Sequence, residues 1–166
     1  MYRELLNEII KKTDMPKLQN PCTENDIAEA EKVVGDIFPE ELKKLLRETD
    51  GDKYFLLSAK EIIKNVELNR NYLAECLEPD EYIEKIDRHI FFATNGCGDY
   101  YCYKVSEDGK ADTSAIYIWD HECFETRYVA KDLMDAIIKY YNDEIWFSVE
   151  YIIIHCVCLS GETLKT

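Results

Sequence analysis

Two short segments of this sequence carry most of the side chains that could do chemistry. Residues 95–99 read Asn-Gly-Cys-Gly-Asp, and residues 120–123 read Asp-His-Glu-Cys. A thiol hydrolase needs a cysteine nucleophile, a histidine base and an orienting acid, and Cys97 with His121 would supply the first two if their strands were neighbours. None of the three histidines stands in a recognisable nucleophile motif. We therefore predict no catalytic residue and keep this pair as an alternative.

Metal and cofactor chemistry is not expected either. Four adjacent residues on one turn rarely converge on a single ion, and the seven cysteines include no Cys-x-x-Cys pair of a zinc or redox site. Gly96 and Gly98 precede a predicted strand, whereas a phosphate-binding glycine loop precedes a helix. The sequence therefore predicts no metal site and no cofactor, and it favours buried thiols.

Residues 95–99 also have an interpretation as a contact surface. Two glycines let the backbone approach a partner closely, and Asp99 could accept hydrogen bonds from that partner. The plainer interpretation is a tight turn that Asp99 holds together. We favour the turn as the main role and expect it to lie beside a binding surface.

The charge of the chain restricts what it can bind. Its 34 acidic and 20 basic residues give a formal net charge of −14. This charge repels phosphate backbones and anionic lipids, and it would speed the capture of a basic partner. We therefore expect no binding to nucleic acid or membranes. Residues 75–87 carry six acids against Lys85 alone, and they are the predicted acidic surface unless they form only a solvated helical face.

The composition favours a folded cytoplasmic protein. Hydrophobic residues make up 46% of the chain, enough to offset the entropy lost on folding, and we predict one domain in residues 1–144. Irregularly spaced cysteines and the absence of a signal-peptide pattern favour a reducing compartment. Residues 145–166 form an apolar extension, predicted as an added strand, a docked helix or a self-association element of a homodimer. Its longest apolar run is too short to span a membrane.

Helical patterns fill the first part of the chain. Residues 1–12 place apolar side chains at helical spacing. A second helix follows, with Thr23 and Asp26 as a capping arrangement and Gly35 as its C-terminal stop. Pro39 suits the first turn of a third helix, because proline has no N–H to leave unbonded there.

Strand patterns follow these helices. Residues 54–57 predict a short strand, Ser58 with Glu61 is a capping box that opens a fourth helix, and residues 71–87 continue a weaker helical pattern. Four segments rich in β-forming residues then predict an antiparallel meander, at residues 89–94, 100–105, 115–119 and 125–129. A helix from Leu133 closes the chain. We predict an α+β fold in which helices pack against an antiparallel sheet.

Aromatic residues alternate along the predicted strands. One face of the sheet can therefore be core while the other is exposed. Core packing is the default for such residues. Any tyrosine or tryptophan that stays exposed would be a strong anchor for a protein partner, and Tyr101 and Trp119 are our candidates.

Six short segments recur in a fixed order along most of the chain. They are TENDI at 23–27, IFPEELKKLL at 37–46, DG at 50–51, FFATNGCGDYY at 91–101, IWDHE at 118–122 and VAKDL at 129–133. Each segment is a weak pattern alone, but their order and spacing over about residues 23–141 are specific. Together they resemble the SUKH superfamily, which includes the Smi/Knr cell-wall-synthesis regulators.

The resemblance implies a non-enzymatic protein-binding module. Such domains have an α+β fold and act as immunity proteins that neutralise polymorphic bacterial toxins, often nucleases, or as regulatory scaffolds of cell-wall and glucan synthesis. A basic toxin domain would also suit the acidic balance. The predicted partner-binding residues are Asn95, Gly96, Gly98, Asp99, Tyr101, Trp119, Asp120, Glu122, Glu78, Asp80, Glu81 and Glu84.

Overall fold

A computed structural model describes residues 1–76, 78 and 86–145 of the chain. Helices precede a sheet, and one more helix follows it. The elements are α1 (Tyr2–Thr13), α2 (Glu24–Val34), α3 (Glu40–Glu48), α4 (Ala59–Cys76), β1 (His89–Thr94), β2 (Tyr100–Lys104), β3 (Ile116–Trp119), β4 (Thr126–Ala130) and α5 (Leu133–Tyr141). This arrangement confirms the predicted α+β fold.

The helix boundaries follow the local signals in the sequence. Thr23 and Asp26 form a reciprocal capping box at the start of α2, and Gly35 ends the helix in a left-handed conformation with φ of 94°. Ser58 and Glu61 repeat the box before α4, because the Ser58 amide donates to Glu61 Oε2 at 2.8 Å and the Glu61 amide donates to Ser58 Oγ at 3.2 Å. These predictions are confirmed.

The four strands form one antiparallel sheet in the order β1-β2-β3-β4, which confirms the predicted meander. Tyr101 pairs with Ile118, and Ile118 pairs with Arg127, so their side chains form a row across one face. The next row, on the second face, consists of Cys102, Tyr117 and Tyr128.

Helices cover the first face of the sheet. The hydroxyl of Tyr103 in β2 donates a hydrogen bond to Glu41 of α3 at 2.7 Å. The ring of Tyr101 packs 4.9 Å from the ring of Phe55, which in turn stacks on Tyr140 of α5 at 3.9 Å. Apolar side chains buried between the helices and the sheet form the hydrophobic core. This packing holds the sheet in place against the helices.

The segment at residues 54–57 differs from its predicted strand. It makes a single bridge, between Leu56 and Ala93 of β1. The amides of Tyr54, Phe55 and Leu56 all donate to Asp52 Oδ1 at 2.9–3.0 Å, so they are not available for a strand ladder. The prediction was wrong because a side-chain acceptor competed with strand pairing.

Two other predictions concern segments that lie partly outside the residues that the structure describes. The helical pattern at residues 71–87 begins within α4, which runs without interruption from Ala59 to Cys76. The extension at residues 145–166, with its proposed role in a homodimer, lies outside the described residues except for Ile145. Among the helices in the described part of the chain, none combines the length and apolar character needed to cross a membrane.

Candidate functional site

Two turns meet at one end of the sheet, and we call them together the two-turn site. The first is residues 95–99 between β1 and β2, and the second is residues 120–123 after β3. They meet because β2 and β3 are neighbours, with Tyr100 paired to Trp119 immediately beside the turns. The sheet register therefore decides which side chains of the two turns come together.

The first turn is held by the side chain of Asn95. Its Oδ1 accepts hydrogen bonds from the amide of Cys97 at 2.8 Å and from the amide of Asp99 at 3.3 Å. Its Nδ2 donates to Asp99 Oδ2 at 2.8 Å. Gly96 and Gly98 have φ of 77° and 106°, which glycine adopts without the strain that other residues would incur. The expected tight turn is therefore present.

Asp99 joins the first turn to the second. Its side chain is buried, and its Oδ1 lies 2.8 Å from Nδ1 of His121 and accepts a hydrogen bond from the His121 amide at 3.2 Å. A buried carboxylate is costly unless its oxygens are bonded, and here Asn95 and His121 satisfy both oxygens. The network holds His121 in place while 43% of its side chain remains exposed.

Gly98 lies against the imidazole of His121. A Cβ atom at this position would lie 2.9 Å from Cγ, Nδ1 and Cε1 of the ring, closer than carbon atoms normally approach. The glycine therefore allows a close approach, as the sequence suggests. Its neighbour across this contact is a side chain of the protein itself.

The second turn is built on Asp120. Its Oδ1 accepts hydrogen bonds from the amides of Glu122 at 2.8 Å and Cys123 at 3.3 Å, and its backbone carbonyl accepts one from Phe124 at 2.9 Å. Phe124 has a φ of 59°, which completes the change of direction into β4. Glu122 itself is exposed.

Three metal-ligand side chains converge across the two turns. One ligand atom from each of Asp99, Asp120 and His121 lies within 4.8 Å of the others. In the sequence only residues 120–123 stand together as possible ligands, whereas Asp99 reaches the group through the pairing of β2 with β3. Asp99 and Asp120 already accept hydrogen bonds within their turns. The absence of a metal site stays a prediction.

The predicted aromatic anchors do not fit the surface. Tyr101 and Trp119 are each 1% exposed, and their rings pack against Phe55 on one face and Phe91 on the other. A partner that docks on the folded protein cannot reach them. They hold the two-turn site in place from within the core. Tyr101 lies near the start of β2, just after the first turn, and Trp119 is the last residue of β3, just before the second turn.

An aromatic pair that does reach the surface lies elsewhere on the second face. Tyr128 is 60% exposed and contacts Tyr117 edge to face, with 6.5 Å between ring centroids. Lys104 Nζ lies 4.3 Å from the centroid of the Tyr117 ring. Alternation in the sequence indicates that some aromatic side chains are exposed, but it does not identify which ones.

The remaining predicted residues lie apart from the two-turn site. Glu78 is exposed, and no described contact connects it with the turns. Asp80, Glu81 and Glu84 lie outside the described residues, so their place in the predicted acidic surface stays a prediction.

The chain matches a model of a known protein family. The family model described as SMI1 / KNR4 family (SUKH-1) matches residues 21–139, more than two thirds of the chain. The matched range begins before α2, ends within α5 and includes both turns. No curated protein matches the chain.

Proposed function

This chain belongs to the SMI1 / KNR4 family (SUKH-1), and from that premise we propose that it is an immunity protein that neutralises a bacterial polymorphic toxin. It binds the toxin in a one-to-one complex and blocks it without catalysing a reaction. It acts in the cytoplasm, where thiols such as the exposed Cys97 stay reduced.

The two-turn site is the observation that carries this proposal. Its hydrogen bonds fix the backbone of two surface turns before any partner arrives, so less conformational entropy is lost on binding. Gly96 and Cys97 are exposed on the first turn, and His121 and Glu122 are exposed on the second. Surface loops held in this way by a sheet are common places for binding residues.

The charge supports a basic partner. A net charge of −14 on 166 residues attracts a cationic surface over long range and raises the rate of encounter. Nuclease toxins need cationic surfaces to hold phosphate backbones, and an acidic protein would compete for those surfaces. Exposed acids such as Glu122 then form the rim of the interface.

The test uses a toxin domain encoded next to the gene of this chain. Isothermal titration calorimetry at low salt is expected to give a one-to-one complex, and the apparent affinity is expected to fall as salt rises. Titration of the toxin's activity is expected to end at one equivalent of this protein. A toxin that stays fully active with the protein in excess at low salt would refute the proposal.

Charge reversal locates the interface on the chain. Glu122→Arg is expected to weaken the complex about ten-fold or more, since it places a cation opposite a cationic partner. Glu29→Arg on α2 is the matched control, because Glu29 is also exposed and the change in net charge is the same. Equal losses for the two variants would indicate long-range attraction only and would remove the two-turn site from the interface.

A regulatory scaffold of cell-wall or glucan synthesis is the second candidate, and the SMI1 / KNR4 family match favours it as well. A scaffold would bind its partner without blocking an activity. Affinity purification from cells, followed by assay of each captured enzyme with and without added protein, separates the two functions. Unchanged activity in a stable complex would favour the scaffold.

A thiol hydrolase is the catalytic alternative. Nδ1 of His121 lies 2.8 Å from the buried carboxylate of Asp99, which is how an orienting acid holds a base. Cys97 is exposed, but among the described contacts its thiol makes no hydrogen bond to His121. Labelling of Cys97 by an electrophilic probe, lost on His121→Ala, would favour hydrolysis. Labelling no faster than that of a cysteine peptide would exclude it.

A further inference from the structure

A cavity of about 460 Å³ opens on the second face of the sheet. It runs from the start of β1 to the turn before β4, and its lining includes Arg88, Lys104, Phe124 and Thr126. Its volume lies in the range of cavities that hold small ligands or a side chain of a partner, roughly 300–1,000 Å³. The two-turn site does not use it.

The backbone holds Arg88 at one end of this cavity. Its carbonyl accepts a hydrogen bond from the amide of Val105 at 2.8 Å, and the following residue, His89, pairs with Lys104 across β1 and β2. The Cα of Arg88 is thus fixed by the sheet. Lys104 Nζ is held separately over the Tyr117 ring, at 4.3 Å from its centroid.

The guanidinium of Arg88 has no carboxylate partner among the described residues. Its Nε is buried and has no hydrogen-bond acceptor there. Other arginines of the chain are satisfied: Arg47 binds Glu24 and Glu40, and Arg70 binds Asp87 together with two carbonyl groups of α2. Among the described residues, Arg88 therefore differs from them in having a guanidinium donor without an acceptor.

The described acidic residues that line the cavity do not bind the Arg88 guanidinium. Glu107 and Glu125 also line it, yet neither forms an ion pair with Arg88 in the part of the chain that the structure describes. A buried donor without an acceptor costs free energy, and a guanidinium recovers that cost best from a carboxylate bound through two parallel hydrogen bonds. A carboxylate from outside can supply what the acids in the described part of the chain do not.

We propose that this cavity binds a carboxylate, with the Arg88 guanidinium as its fork-like donor and the Lys104 ammonium as a second positive charge. Arginine suits this task because its planar donors match both carboxylate oxygens. The net charge of −14 opposes nonspecific anion binding, so binding here requires a specific local site. The inference concerns a ligand of this cavity and does not rest on the toxin-binding function.

The carboxylate can be a free small acid or a side chain of a polypeptide, and two probes distinguish these sources. The first is glutarate, compared with uncharged glutaramide. The second is a capped peptide with one glutamate among alanines, compared with the same peptide carrying glutamine. Binding of both acids places a side chain in the cavity, and binding of glutarate alone assigns a free acid. Failure of both acids to bind at low salt would overturn the proposal.

Arg88→Gln is the decisive variant, because it removes the charge and the forked donors and leaves a shorter, neutral polar side chain. It is expected to weaken binding of the acid about ten-fold or more, as a charge-assisted bidentate contact is lost. Arg47→Gln is the matched control, since that arginine is outside the cavity, and it is expected to bind as the wild type does. Equal binding by Arg88→Gln and the wild type would refute the assignment.

A measurement on the unmodified protein covers the case in which Arg88→Gln fails to fold. In nitrogen-proton NMR spectra, the Nε–Hε signal of Arg88 is expected to shift on addition of the acid that binds, while that of Arg47 stays in place. An unchanged Arg88 signal at saturating acid would overturn the proposal without any variant.

Discussion

Two turns of this fold contain the same Gly-Asp dipeptide and use it for different ends. Gly51 and Gly98 both have positive φ, 79° and 106°, and each precedes a buried aspartate, Asp52 or Asp99. In both turns the glycine allows a close approach and the carboxylate accepts several hydrogen bonds. The difference lies in what surrounds each pair.

Asp52 is fully enclosed. Its Oδ1 accepts three backbone amides from residues 54–56, and its Oδ2 accepts the hydroxyl of Tyr141, which ties α5 to the connection between α3 and α4. Asp99 instead bonds to His121, whose ring is partly exposed. The hydrogen bonds of Asp52 therefore join parts of the core, whereas those of Asp99 position a surface side chain.

Gly51→Ala is expected to have the largest effect on stability. A Cβ there would lie 2.7 Å from the Ser58 amide nitrogen and 2.8 Å from the Leu56 carbonyl oxygen, and backbone atoms cannot move aside. The loss is expected to be about 3 kcal/mol or more in urea unfolding. Gly35→Ala is the control, because it has positive φ with open space around it and is expected to cost about 1–2 kcal/mol. Equal losses for Gly51→Ala and Gly35→Ala would mean that the positive φ sets the cost and that the contact with backbone atoms adds nothing.

Tyr141→Phe tests the enclosed aspartate. Burial raises the pKa of Asp52 above its ordinary value of 3.8, and the hydroxyl of Tyr141 is the largest opposing influence. Loss of this hydrogen bond to a charged group is expected to cost about 2 kcal/mol at neutral pH. Tyr54→Phe is the control, because that side chain is partly exposed, and it is expected to change stability by less than about 0.5 kcal/mol.

The pH dependence of Tyr141→Phe has a defined sign. A carboxyl group with a raised folded-state pKa contributes stability at low pH and loses it as pH rises through that pKa. Removing the hydroxyl raises the pKa of Asp52 further, so the variant loses more stability than the wild type between pH 3.8 and neutrality. Urea unfolding at pH 3.5 and pH 7 measures this, and a pH-independent difference would contradict it.

Gly98→Ala is expected to cost less than Gly51→Ala, about 1–2 kcal/mol. The atoms that a Cβ would meet belong to the His121 ring, and a side chain can rotate away. The expected result is a folded protein in which His121 has left Asp99, visible as a changed imidazole NMR signal. A loss as large as that of Gly51→Ala would mean that the His121 ring is as immovable as backbone.

His121→Ala is expected to have the smallest effect on stability, within about 1 kcal/mol, since the ring is partly exposed. Its expected effect is on binding, where the toxin complex should weaken although the fold is retained. Calorimetry with the toxin domain measures this affinity. His89→Ala is not a suitable control, because His89 is buried. Ser114→Ala, on an exposed loop, is the control. Unchanged affinity would remove His121 from the interface.

The sequence by itself determined the elements whose signals are local. The capping boxes at Thr23 and Ser58 and the stop at Gly35 depend on atoms within three or four residues, so their meaning does not change with the fold. Four β-rich segments separated by turns were sufficient to predict a meander, because adjacent strands with short connections pair in sequence order.

Tertiary structure decided what depends on packing and register. The Asp52 carboxylate accepts hydrogen bonds from the amides of residues 54–56, within the strand predicted at 54–57. The pairing of β2 with β3 brings Asp99 next to His121. Trp119 became core because its face of the sheet is also covered at that position. Alternation along a strand says which residues share a face, but burial depends on what packs on that face, and those contacts are distant in sequence.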